Sequence, residues 1–64
     1  MNTATDRKTV SVIASAFRAE ILRAEESGGH DALRMKLQTA ALPMAVHFNL
    51  LSAIEASERN FRAV

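Results

Sequence analysis

The stretch Ser27–Pro43, SGGHDALRMKLQTAALP, decides how this chain folds. It opens on two adjacent glycines and closes on the only proline in the sequence. Glycine accepts the left-handed backbone that ends helices, and two in succession make helical continuation costly. Proline withholds a backbone donor and crowds the preceding turn, so it bends a helix or begins a new one. On either side the apolar residues keep helical spacing. Upstream, Val10, Ile13, Ala14, Phe17, Ile21 and Ala24 form one face. Downstream, Leu33, Leu37, Ala40, Ala41 and Met44 form another. Past Pro43 the apolar set becomes Leu50, Leu51, Ile54 and Phe61, rotated by about 80–100° from the stripe before it.

These signals predict an all-α chain. A tail over 1–5 precedes a helix over 6–26, with Thr5 or Asp6 as its cap. A turn over 27–30 leads to a second helix over 31–62, opened by Asp31 and kinked or broken near Pro43. A short loop makes antiparallel neighbours, so the expected architecture is an antiparallel helical hairpin. Strands have no support: nothing alternates cleanly, and no Asn-Gly or Asp-Gly turn occurs.

Length and composition narrow the function. The chain has 64 residues, with 8 Lys+Arg against 7 Asp+Glu and no Cys, Trp or Tyr. One domain fits, and a disulfide framework or cysteine-ligated zinc does not. A net charge of +1 makes no electrostatic case for dedicated nucleic-acid binding. A domain of roughly 60 residues buries only about 60% of its unfolded surface and usually needs a staple or a partner chain. The missing cysteines are compatible with a reducing compartment, and a cytoplasmic location is expected. Arg7 and Lys8 before Val10–Ala16 only superficially resemble a signal peptide, because the apolar run is short and interrupted by Ser11 and Ser15.

The most informative feature lies between Lys36 and Glu55. From Leu37 to Ile54 there are 18 residues without a formal charge, and 12 of them are apolar. A helix apolar nearly all round belongs in a larger core or a membrane. Gln38, Thr39, Pro43, His47, Asn49 and Ser52 weigh against a membrane span, as does the lack of a Trp or Tyr belt. The expectation is therefore a homo-oligomer, with a dimer forming a four-helix bundle, together with a protein partner. Leu37, Met44, Phe48, Leu51 and Ile54 are the expected self-association residues. Val46, Leu50 and Phe61, rimmed by Arg59 and Arg62, are the expected partner-binding residues.

Chemistry has little footing. His30 and His47 are the only histidines and lack metal-ligand spacing, so neither a metal nor another cofactor is expected. His30 reads as a turn residue beside the second helix's start, and His47 as a flank of the core stripe. At a helix interface His47 would make association pH-dependent. No nucleophile–base set or phosphate loop is recognisable, so the chain is expected not to be an enzyme. In an antiparallel hairpin Arg7 and Lys8 would meet Arg59 and Arg62 at the open end, diluted by Asp6, Glu55 and Glu58.

In length and in the central Ser27-Gly28-Gly29 turn, the chain resembles in architecture the plasmid copy-number hairpins that dimerise and bind RNA loop complexes. That resemblance implies a dimeric RNA-binding hairpin as one alternative function. Arg59-Asn60-Phe61-Arg62 is similar to the tail of helical-hairpin subunits of bacterial secretion needles, which implies a secretion or membrane-associated assembly as another. The residues themselves favour a small protein–protein interaction module. A bacterial, phage or plasmid regulator (inhibitor, antiactivator, adaptor or chaperone) is expected on size and style.

Overall fold

The computed structural model describes residues 7–63. They form three α-helices: α1 Arg7–Ser27, α2 His30–Thr39 and α3 Met44–Ala63. The described region has no strand, and the fold is all-α. The 1–5 tail and the cap at Thr5 or Asp6 lie outside the described residues.

The glycine pair ends α1 through its backbone. Gly28 and Gly29 have φ of 86° and 96°, a region costly for residues with a Cβ. The Gly28 N–H donates to the Ala24 carbonyl at 2.7 Å. Gly29 then caps α2 without a side chain, its carbonyl accepting the Leu33 N–H at 3.3 Å. Asp31 was the expected cap. It instead lies in the first turn of α2 and accepts from Arg34 Nη1 at 2.7 Å. The two left-handed glycines complete the change of direction before His30, so the helix begins ahead of Asp31.

Pro43 ends α2 just as locally. In a continuous helix its missing N–H would have served the carbonyl of Thr39, four residues back. Thr39 is the last residue of α2. The ring also drives the preceding residue away from helical backbone. Ala40, Ala41 and Leu42 are good helix formers held outside any helix. Ala40 is extended at φ −80° and ψ 131°. Short-range bonds from Ala40 N to Leu37 O (3.2 Å) and Leu42 N to Ala40 O (3.0 Å) complete the turn. The Pro43 carbonyl accepts from His47 N at 2.9 Å and starts α3.

The chain reverses here rather than bending. Were the second arm one helix, His30 and Phe61 would lie about 46 Å apart at 1.5 Å per residue. Their ring centroids are 5.7 Å apart. Arg34 of α2 reaches both Glu55 and Glu58 of α3. Along α1, Arg18 meets Asn49, Ile21 meets Ser57, and Glu25 meets Asn60. Both numbers rise together, so α1 and α3 run parallel with α2 antiparallel between them. The two-arm hairpin is thus corrected to an up–down–up arrangement of three helices. A proline fixes where a helix stops, and packing decides where the next one goes.

That reversal builds the core. Ala14, Phe17, Ile21 and Ala24 of α1 meet Leu33 and Leu37 of α2 and Leu50 and Ile54 of α3. Leu37, Leu50 and Ile54 have 0% exposure. Most of the grease that a hairpin would have left uncovered is therefore hidden within one chain. Ala41 and Met44, expected on the core stripe of the second arm, are exposed because the chain leaves α2 before reaching them.

Ion pairs tie the glycine end together. Arg34 holds Asp31 at 2.7 Å, Glu55 at 3.0 Å and also Glu58. Arg62 reaches Glu58 at 3.3 Å, and Lys36 reaches Glu20 at 2.9 Å. The hydrogen bond from Arg34 holds the Glu58 carboxyl below its ordinary value, against the opposing effect of burial. The same bond raises the Arg34 guanidinium further into its charged range.

Candidate functional site

Among the described residues, two places have the makings of a site. The first is a buried polar node. His30 and Ser57 are each 3% exposed, and His30 Nε2 lies 3.0 Å from Ser57 Oγ. An imidazole beside a serine hydroxyl is the starting geometry of nucleophilic catalysis. The proton count points elsewhere. Ser57 Oγ donates its single proton to the Ile21 carbonyl at 3.3 Å, since a carbonyl can only accept. With that proton so placed, Ser57 Oγ accepts from His30 in the tautomer that carries its hydrogen on Nε2. An imidazole acting as donor there is not positioned to remove the serine proton. The node is a clasp joining α1, α2 and α3, closed by Phe61, whose ring lies 5.7 Å from that of His30 at 44°.

Phe61 also explains the tight glycine turn. A Cβ on Gly28 would lie 3.1 Å from the Phe61 ring. Phe61, expected to bind a partner, is 39% exposed and spends much of its ring on this internal contact.

The second place is the outward face of early α3. Met44 is 73% exposed and Phe48 is 55% exposed. They sit one turn apart, with half-buried Leu51 next in the same row. His47 is half-buried, and its ring meets Phe48 edge-on at 5.5 Å and 85°. Beside this face lies a groove between the parallel helices α1 and α3, lined by Val10, Ala14 and Val46 with Arg7, Arg18 and Asn49.

The structure separates the residues expected to act together. Leu37 and Ile54 were expected to mediate self-association and Leu50 to touch a partner. All three are fully enclosed by the chain's own helices and offer no surface to another molecule. Val46 and Leu51 pack partly against the core. Met44 and Phe48 remain outside. Arg59 and Arg62 are exposed near the end of α3, about 22–27 Å along the helix from Met44 at 1.5 Å per residue. The cluster of Arg7 and Lys8 with Arg59 and Arg62 is also corrected. Parallel α1 and α3 put the first pair at one end of the bundle and the second at the other.

Sequence reasoning missed the His30–Ser57 clasp. The two residues are 27 positions apart, and no local pattern couples them. Among the described residues, no group of three or more His, Cys, Asp or Glu is placed to hold a metal. None of the described helices is long and apolar enough to cross a membrane.

No protein-family model, curated protein or solved structure matches this chain.

Proposed function

We propose that this chain is a non-enzymatic protein–protein interaction module whose contact face is the Met44–Phe48 row of α3. The supporting observation is the exposure of these two large apolar side chains, 73% and 55%, one turn apart on a helix. They lie within the stretch 37–54, which has no charged residue to oppose desolvation. Full burial of a side chain of this size is worth about 1.5–3 kcal/mol, so a covering surface gains several kcal/mol from the pair.

A second copy is one occupant of this face. Two such protomers would assemble six helices, in place of the expected four-helix bundle. Leu51 would lie at the edge of the contact and His47 beside it. A partner protein is the other occupant, and regulation by inhibition, adaptor binding or chaperoning is the class of role such a face serves.

The test uses wild type and Phe48→Asp, both confirmed as helical by circular dichroism. Light scattering over a wide dilution series reads self-association. Retention of proteins from the native host reads partner binding. The proposal expects a dimer mass or a retained protein that Phe48→Asp loses. A monomer at every dilution, with identical retention by wild type and variant, would overturn it.

A further inference from the structure

Charge along the bundle is sharply partitioned. Every described carboxylate (Glu20, Glu25, Glu26, Asp31, Glu55 and Glu58) lies in the half nearer the glycine turn. The opposite half, built from Arg7–Ala19 of α1 and Met44–Ile54 of α3, contains none. In that half Arg7 and Arg18 line the groove between α1 and α3. They are 11 residues apart, hence about 16 Å along the helix and within about 20° of the same face. Arg18 donates to Asn49 Oδ1 at 3.4 Å, a long bond to a neutral amide. Arg34, Lys36 and Arg62, by contrast, each meet a carboxylate. The groove floor is apolar: Ala14 is buried, and Val10 and Val46 are half-buried.

We propose that the α1–α3 groove binds an acidic amphipathic segment of a partner protein. Its aliphatic side chains would rest on Val10, Ala14 and Val46, with its carboxylates at Arg7 and Arg18. This rests on the interaction-module reading and names the chemistry of the partner. Carboxylates two or three helical turns apart on one face match the spacing of the two arginines, whose long side chains absorb the difference. Asn49 presents a neutral amide between them. A second copy of this chain is a poor occupant: Glu20 is held by Lys36, Glu25 by Asn60, and Asp31, Glu55 and Glu58 by Arg34, which leaves Glu26 alone among the described carboxylates to meet two arginines. An anionic bilayer is also a poor fit, since a flat surface meets protruding side chains and this floor is recessed between two helices.

The test titrates isotope-labelled full-length chain with three probes and follows backbone amide shifts. The first is a synthetic helical peptide with a leucine row flanked by glutamates. The second is the same peptide with lysine at each glutamate. The third is phosphatidylserine vesicles. The proposal expects the glutamate peptide to shift Val10, Ala14, Val46 and Asn49, and salt to weaken its binding. Arg18→Glu should weaken that binding by about tenfold or more. The lysine peptide should bind the Arg7→Glu, Arg18→Glu double variant better than it binds wild type. No shift with the glutamate peptide, equal binding of both peptides to wild type, or shifts of these amides by vesicles alone would overturn it. Shifts centred on Met44 and Phe48 would also remove the groove while leaving the interaction-module reading in place, which is judged separately by Phe48→Asp.

Discussion

Truncating Leu50 to alanine separates the three-helix fold from a two-arm hairpin in one comparison. Leu50 has 0% exposure and sits in the cluster with Phe17, Ile21, Leu33 and Leu37. Removing a buried leucine side chain costs about 2–5 kcal/mol, according to how far the site collapses. A domain of this size has only about 5 kcal/mol of stability in total. With a urea slope of about 1 kcal/mol per molar for so small a chain, the midpoint falls by about 2–5 M. Leu50→Ala is therefore expected to be largely unfolded before denaturant is added. Phe48→Ala, two residues earlier on the opposite side of α3, changes little more than half-exposed surface. It should stay within about 1 kcal/mol of wild type, helped by alanine's helix propensity. The chain has neither Trp nor Tyr, so helical circular dichroism is the appropriate probe. Equal effects of the two substitutions, or a larger effect from Phe48→Ala, would refute this placement of the core.

Three further outcomes follow from the contacts. Gly28→Ala should destabilise more than Gly29→Ala in urea titrations: both sites have positive φ, but only at Gly28 does the new Cβ meet the Phe61 ring, at 3.1 Å. Ser57→Ala deprives a buried imidazole N–H of its acceptor and should cost about 1–3 kcal/mol by the same assay; an unchanged midpoint would show that the clasp contributes nothing. Glu58 carries acid sensitivity of known sign. The Arg34 hydrogen bond holds its folded carboxyl below the ordinary carboxylate value, so the unfolded state takes up the proton first. The stability it contributes is complete above the unfolded value and is lost as pH falls through the folded one. Glu58→Gln should accordingly show a smaller loss of stability than wild type on acidification from neutral to about pH 3.

The local physics of this fold is written plainly in the sequence. Gly28 and Gly29 end one helix, Pro43 ends another, and Ala14, Phe17, Ile21 and Ala24 face inward as their spacing requires. The direction of the chain after Pro43 is not written there. The rotation of the apolar stripe between Leu37 and Leu50 fits a bend as well as a reversal, because both require α3 to present a new side to α1. Only the joint burial of Leu37, Leu50 and Ile54 distinguishes them, and that is a property of three helices at once. The same limit applies to the surface. Met44 and Phe48 belong to an apolar segment alongside Leu50 and Ile54, and periodicity alone does not say which of two apolar rows another helix will cover. His30 has no local signal for Ser57, and Arg7 has none for its distance from Arg62. Both follow from the parallel alignment of α1 and α3.

That alignment is best tested by a distance. The native chain contains no cysteine, so Glu26→Cys with Ala63→Cys introduces a unique pair of spin labels at exposed positions. Diluting labelled chain into unlabelled chain isolates the distance within one molecule. The three-helix arrangement brings the end of α3 beside the glycine turn, where Phe61 covers Gly28, and predicts a separation below about 20 Å. A separation above about 35 Å, as for a second arm running away from the turn at 1.5 Å per residue, would contradict the reversal at Pro43.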